Sequence, residues 1–352
     1  MNVLLRLGVW SLLLLFVACG GSERNGGGQD EARVVVYSPH GKELLDDFAR
    51  RFEAANPGVR VQWLDMGSQD VLDRIRSERS NPQADIWWGA PSSFFMNAAD
   101  EGLLQPYRPS WAGAVEPSQH DSLDRWYGTF LTPEVIAFNS QVLSAATAPH
   151  DWDDLLDPRW RGKITIRNPL ASGTMRAIFS AMIWRFYKET GSPEAGYEWL
   201  LRLDANTKSY PANPTLMYLQ LARREALVTL WNMPDIELQK QVYHYPFDYV
   251  LPASGTPVLV EGLAIVAHCK HPEWAKKFYE FVTTPESFVI QATKYFRIPT
   301  RKDLPRDRLP DWMTRAQIRE MKIDWRVFSE KSQEWMKYWD KNIRGMGAKG
   351  TH

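Results

Sequence analysis

The chain has 352 residues, a length that two compact lobes accommodate better than one hydrophobic core. Its 42 basic side chains balance 42 acidic ones, so it lacks the basic surface that nucleic-acid-binding proteins present. The sequence contains none of the spacings typical of a zinc protease, a cysteine metal site, a nucleophilic serine or a phosphate-binding loop. We therefore expect no enzyme activity, no cofactor, no metal and no nucleic-acid partner.

The first nineteen residues predict export. A short apolar run at 12–17 follows a single early basic residue, Arg6, and leads into Ala18 and Cys19. A bilayer core of ~30 Å needs roughly 20 apolar residues, so this run is typical of a cleaved secretory signal at 1–18. The cysteine directly after the cut resembles the lipobox of bacterial lipoproteins, which implies that Cys19 is lipidated. The alternative is an ordinary cleaved signal with a chance cysteine.

Residues 19–32 are predicted to form a flexible, lipid-anchored linker, because glycines among polar side chains cannot bury enough apolar area to fold. Three βα units follow. The strands are predicted at 33–38, 59–64 and 84–89, and a helical apolar stripe follows each of the first two, with Ser68 as an N-cap. This order predicts an open parallel sheet covered by helices.

The turns at the carboxyl ends of these strands are expected to form one wall of a binding site, as in other open α/β sheets. The residues placed there are Ser38, His40, Ser68, Trp88, Gly89 and Ala90. For His40 the alternative is a purely structural role in its turn. Trp87 and Trp88 are neighbours in one strand and point to opposite faces, and Trp88 is the one predicted to reach the pocket.

A second block of the chain is expected to supply the opposite wall. Ser172, Gly173 and Thr174 stand at the start of a helical pattern. Free amides, hydroxyl donors and the positive end of the helix dipole would bind a carboxylate, phosphate or phosphonate there. The alternative is that Ser172 only caps its helix.

Later segments repeat the strand-and-loop pattern at 210–215 and 227–232 and return to the first block at 258–267. Residues past 309 predict helices rich in tryptophan and methionine. The loop residues that we place near the ligand are Asn213, Trp231 and Asn232.

Several of these segments resemble bacterial extracellular solute-binding proteins of ABC importers. The branch they resemble most holds ferric-ion, thiamine, phosphonate and sugar-phosphate binders. The resemblance covers nearly all of the chain after the linker, and the order and spacing of its short motifs make it specific. These motifs include VVVYSPHGKELL at 34–45, NPQADIWWGA at 81–90, EVIAFNSQVL at 134–143, SGT at 172–174 and PEWAKKFYEFV at 272–282.

The resemblance implies a periplasmic-binding-protein fold of type II, in which two doubly wound α/β lobes close on a hinge over a ligand in the cleft between them. We expect lobe 1 to comprise 33–135 and 256–305, lobe 2 to comprise 136–255, and 306–352 to form C-terminal helices that pack on the lobes. The implied partners are a small-molecule solute, an ABC permease and an ATPase. The protein is expected to be a monomer, held by its lipid to a membrane in the periplasm or at the cell surface.

The resemblance leaves the solute open. Ferric-ion binders of this branch place two adjacent tyrosines where this chain has Trp231 and Asn232, and an indole offers no oxygen ligand. We therefore expect a small anionic or phosphorylated solute, with ferric iron as the alternative. Two other interpretations are an exported enzyme that uses His40 and Glu261 as acid and base, and a sensor subunit that signals without delivering solute.

Overall fold

The computed structural model describes residues 32–315 and 317–347. The predicted signal peptide, the predicted lipidation site at Cys19 and the predicted linker up to residue 31 lie outside these ranges. In the part of the chain that is described, no helix is both long enough and apolar enough to cross a membrane.

Strands and helices alternate along most of the described chain. The strands are β1 Arg33–Ser38, β2 Arg60–Asp65, β3 Ile86–Pro91, β4 Leu104–Gln105, β5 Tyr127–Asn139, β6 Ile164–Thr165, β7 Thr207–Ser209, β8 Val228–Asn232, β9 Phe247–Val250, β10 Val258–Val266 and β11 Ile298–Pro299. The α-helices are α1 Lys42–Ala55, α2 Ser68–Ser77, α3 Ser92–Asp100, α4 Gly173–Thr190, α5 Glu194–Asn206, α6 Pro214–Ala222, α7 Met233–Gln241, α8 Pro272–Val282, α9 Pro285–Tyr295, α10 Asp311–Arg315 and α11 Trp325–Asn342.

The strands pair in the order β2-β1-β3-β10-β5-β8-β6-β7, with β4 on β10 and with β9 and β11 on β5. β1 is parallel to β2 and β3, and β6 is parallel to β7 and β8. The parallel βα units predicted at the start of the domain are confirmed. The return strand predicted at 258–267 is β10, which is antiparallel to β3 and β5.

β5 belongs to both halves of the sheet. Its first part, up to Pro133, pairs with β10, and its second part, from Glu134, pairs with β8 and β9. A separate hydrophobic core lies on each side of this change of partner. The first core contains β1 to β3 with α1, α2, α3 and α8, and the second contains β6 and β8 with α4, α5 and α11.

Local chemistry sets the ends of α4, the helix that begins at the predicted anion site. The Ser172 hydroxyl accepts a hydrogen bond from the Met175 amide at 3.3 Å, so Ser172 is the N-cap. The helix ends at Gly191, whose φ of 71° lies in the left-handed region that favours glycine. Between these residues an apolar stripe that includes Phe179 is buried in the second core.

The C-terminal helix α11 packs its aromatic face into the second core. Trp335, Met336 and Trp339 are buried there, and the Trp339 ring meets Phe179 edge-to-face at 5.5 Å between centroids. Trp335 and Trp339 therefore pack as core residues, and Trp312 and Trp325 lie partly buried against the same core.

Two local expectations are wrong. The strand β7 ends at Ser209, and Asn213 instead caps α6 by accepting the Leu216 amide at 2.9 Å. Prolines on both sides of this loop, Pro211 and Pro214, lack the amides that a continued strand would need. Ser68 is the first residue of α2 and its N-cap is Gly67.

Candidate functional site

A cavity of about 680 Å³ opens between elements of the two cores. The turns after β1, β2 and β3 line it from one side, and the segments after β6, β7 and β8 line it from the other. These are carboxyl ends of strands, where open α/β sheets bind their ligands. The volume is that of a small-molecule site.

Helices from both cores begin at the cavity. Its lining includes the first residues of α1, α2, α4 and α6, which are Lys42, Ser68, Gly173 and Pro214, and the α7 N-cap Asn232. The first amides of a helix have no acceptor within the helix, and the dipole places partial positive charge at that end. The backbone therefore makes the cavity favourable for a negatively charged group.

The two walls touch at glycines. A Cβ added at Gly173 would lie 2.6 Å from the Ser68 hydroxyl oxygen and 2.8 Å from Cδ of Pro91. A Cβ added at Gly67 would lie 2.6 Å from the carbonyl oxygen of Ala171. Any larger residue at either position would push the walls apart. Ser172 lies beside this contact, caps α4 and also lines the cavity.

His40 and Glu261 meet at the floor of the cavity. Nδ1 of His40 lies 3.3 Å from one carboxylate oxygen of Glu261, and the Thr132 hydroxyl donates to the other at 2.9 Å. Burial lowers the pKa of His40 well below its usual value, and the charge of Arg297 lowers it further. Burial raises the pKa of Glu261. His40 is therefore neutral at neutral pH, so its contact with Glu261 is not an ion pair.

Arg167 provides a cation on the opposite wall. It follows β6 by two residues, and its guanidinium carbon lies 5.6 Å from the centroid of the Trp231 ring. Within residues 32–315 and 317–347 it forms no ion pair, and its Nε has no hydrogen-bond partner. Burial lowers the pKa of Arg167, but an arginine remains protonated. Its planar N–H groups can hold a phosphate, phosphonate or carboxylate in a bidentate manner.

Asp235 joins several cavity residues. It accepts hydrogen bonds from Nε1 of Trp231 at 3.1 Å and from the side-chain amide of Asn232 at 2.9 Å. It also pairs with the guanidinium of Arg297 at 3.1 Å, across the cavity. The polar groups of Trp231 and Asn232 are therefore used within the protein, and the Trp231 ring is what remains for a ligand.

The structure brings most of the predicted site residues together. Those that line the cavity are His40, Ser68, Ala90, Ser172, Gly173, Thr174, Asn213, Trp231 and Asn232. Three predicted residues, Ser38, Trp88 and Gly89, do not line it.

These three lie beneath the cavity lining, so their predicted ligand contacts are corrected. Trp88 is fully buried in the first core and meets the His40 ring edge-on at 5.8 Å, because helices cover both faces of its central strand. Ser38 is also buried, and its hydroxyl accepts the His40 amide at 3.1 Å. Gly89 lies against the His40 imidazole, so closely that an added Cβ would be 2.5 Å from Nε2.

Several charged residues of the cavity were missed at the level of sequence. Asp65 is the last residue of β2 and Arg167 follows β6, so the strand-end rule could have identified both. Asp235 stands three residues after Asn232 and could have been found in the same way. Arg297 follows α9, far along the chain from the rest of the site, and no local pattern marks it.

The chain is similar to known binding proteins over most of its length. A probable ABC transporter periplasmic-binding protein of Sinorhizobium fredii is 27% identical over 326 residues, 88% of this chain and 86% of that protein. The structure of AfuA from Actinobacillus pleuropneumoniae with fructose-6-phosphate superposes with a TM-score of 0.78 at 22% identity and covers 90% of this chain and 99% of that one. A ferric binding protein from Campylobacter jejuni gives 0.74 at 20% identity and covers 88% and 98%.

These likenesses confirm the predicted fold class, the type II periplasmic-binding-protein fold. They also confirm that the chain is related to binding subunits of transporters and not to enzymes. The contact between His40 and Glu261, which the exported-enzyme interpretation would use as acid and base, is present in this binding protein. The family model for bacterial extracellular solute-binding proteins matches residues 47–322, and the chain belongs to that family.

Proposed function

We propose that this solute-binding subunit of an ABC importer binds a small, polar, anionic or phosphorylated solute in the cavity between its lobes. One observation carries the proposal: the Arg167 guanidinium, which has no ion pair in the described chain, lines the same cavity as the helix start at Ser172, Gly173 and Thr174. A guanidinium and free backbone amides together form a strong site for an oxyanion.

The setting belongs to the same proposal. Cys19 carries the lipid that tethers the protein in the periplasm or at the cell surface, and the monomer delivers its solute to a permease driven by an ATPase. Lobe 1 comprises 33–135 and 256–305, lobe 2 comprises 136–255, and the C-terminal segment packs on them. The change of partner strand at Pro133 and Glu134 supports a boundary within β5.

One related structure supports an anionic solute, and another has a name that points to ferric iron. AfuA is described with fructose-6-phosphate bound, and the Campylobacter protein is described as a ferric binding protein. In ferric-binding relatives, phenolates are the ligands that the resemblance implies. Here Trp231 and Asn232 stand where those relatives have two adjacent tyrosines, which favours the organic anion. Of the tyrosines that line the cavity, Tyr243 donates its hydroxyl to Glu43.

Calorimetry on the mature chain tests the proposal against phosphate, alkyl phosphonates, sugar phosphates, carboxylic acids and ferric citrate. A true ligand should also raise the melting temperature by mass action. Arg167→Gln should weaken binding of the best anion by about 10-fold or more, because it removes a charge-assisted hydrogen bond. Arg161→Gln, at an exposed position outside the cavity, is the control. Binding of iron alone, with a tyrosinate colour band, would contradict the proposal.

A further inference from the structure

The cavity lining contains more acidic than basic side chains, which is unexpected for a site that binds a plain anion. Five carboxylates line it, Glu43, Asp65, Asp70, Asp235 and Glu261. The cationic side chains in its lining are three, Lys42, Arg167 and Arg297, and His40 is neutral.

Internal contacts account for only some of these charges. Asp235 pairs with Arg297 at 3.1 Å, and Glu261 is held by His40 and by Thr132. Glu43 accepts the hydroxyl of Tyr243 at 2.5 Å. Among the residues that the structure describes, the charged cavity residues with neither an ion pair nor a hydrogen bond to another side chain are Asp65, Asp70, Lys42 and Arg167.

The unpaired carboxylates lie beside the proposed anion site. Asp70 is in the first turn of α2, with an oxygen 2.9 Å from the position that a Cβ on Gly67 would occupy. That same position is 2.6 Å from the carbonyl oxygen of Ala171, the residue before Ser172. Asp65 ends β2, where burial raises the pKa of its carboxyl, while a hydrogen bond from the Gly41 backbone and the charge of Arg167 act to lower it. Both aspartates act electrostatically on Arg167.

A separate observation shows that the cavity is built to receive polar groups. The Arg297 side chain lines it, is 5% exposed, and leaves its buried Nε without a partner. A buried polar group without a partner carries a desolvation cost that a bound ligand can relieve. Asp65 and Asp70 therefore line a cavity that contains both acidic and basic groups without a side-chain partner in the described chain.

We propose that the solute is zwitterionic: it carries an amine as well as an oxyanion, and Asp65 and Asp70 bind the ammonium while Arg167 and the amides at Gly173 and Thr174 bind the oxyanion. When the lobes close over a solute, carboxylates in the cavity lose water, and this is costly unless a cation pairs with them. A plain anion would leave both aspartates unpaired and would be repelled by them. This inference rests on the proposed function and specifies its solute.

Matched compounds test the inference by calorimetry on the mature chain. O-phosphoethanolamine is compared with ethyl phosphate, and 2-aminoethylphosphonate with ethylphosphonate, so each pair differs only in the amine. We expect the amine-bearing member to bind at least about 10-fold more tightly in one of the pairs. Asp65→Asn with Asp70→Asn should abolish that preference while the amine-free compound binds as well as before or better.

Asp73→Asn is the matched control, because Asp73 lies on the same helix, pairs with Arg76 and does not line the cavity. Asp65 and Asp70 are both exposed to solvent, so the double variant should keep the melting temperature of the free protein. Equal affinity within each pair, or an amine preference that survives the double variant, would overturn the inference and leave the anion site standing. If none of the four compounds and no other anion binds, the proposed function itself fails.

Discussion

The Glu134 carboxyl lies fully buried on β5, and neither of its oxygens has a hydrogen-bond partner within the described chain. Burial raises its pKa well above the usual value, and the negative charges of Glu261 on β10 and Asp235 on α7 raise it further. The folded protein therefore holds a proton at Glu134 that the unfolded chain releases at a lower pH. Stability should fall as pH rises above the ordinary glutamate pKa and towards the raised one.

Glu134→Gln should flatten this dependence, because glutamine resembles the protonated acid and does not ionise. We expect the variant to gain melting temperature over the wild type at pH 7–8 and to show little gain near pH 4. Glu198→Gln, at an exposed position on α5, is the control and should follow the wild-type profile. A constant difference between Glu134→Gln and wild type at every pH would show that the pKa of Glu134 is the same in the folded and the unfolded chain.

At the scale of the element, α11 shows how a late segment completes an earlier core. Trp339→Ala would leave a void beside Phe179 and should lower the free energy of unfolding by about 3–5 kcal/mol. Urea denaturation measures the loss as a shift of the midpoint with an unchanged slope. Lys337→Ala, at an exposed position on the same helix, should leave the midpoint in place. A similar midpoint for both variants would mean that α11 is not part of the cooperative core.

Most elements could be predicted from sequence because their signals are local. β-branched runs gave β1 and β10, and a serine before an apolar stripe gave α4. The reason that no strand forms at 210–215 is also local, since Pro211 and Pro214 lack the amides that a strand there needs. Trp88 was placed wrongly because alternation along a strand shows only that neighbours face opposite sides, and β3 is covered on both.

The site was predictable to a different extent. The rule that ligands bind at the carboxyl ends of strands predicted one wall of the cavity and part of the other, including His40 and Ser172. The partners that set its chemistry were not predictable, because they meet only in three dimensions: Asp235 with Arg297, and Glu43 with Tyr243 from α1 and the segment after α7. Composition gave balanced charge for the whole chain and could not reveal the acidic excess in one cavity.

At the scale of the whole molecule, the close approach of the walls at Gly173 makes a prediction about closure. Gly173→Ala would place a methyl group against Ser68 and Pro91, so the walls should stay further apart. We expect ligand affinity to fall by about 10-fold and compaction on ligand saturation, measured by small-angle X-ray scattering, to decrease. Gly113→Ala, where an added Cβ meets nothing within 4 Å, is the matched control.

The free Gly173→Ala protein should melt close to the wild-type temperature, because the walls can separate at this contact when no ligand holds them together. Affinity and compaction equal to those of the control would show that the walls need not touch at Gly173 when the ligand is bound.

The continuity of β5 has a consequence for how such a protein can be divided. One strand gives its first residues to one half of the sheet and its last residues to the other, with no loop between Pro133 and Glu134. A fragment cut at this point would leave each half with a truncated strand and an unpaired sheet edge, which invites aggregation. Neither half is therefore an exchangeable module, and chimeras with relatives should be joined at the surface loops of one lobe.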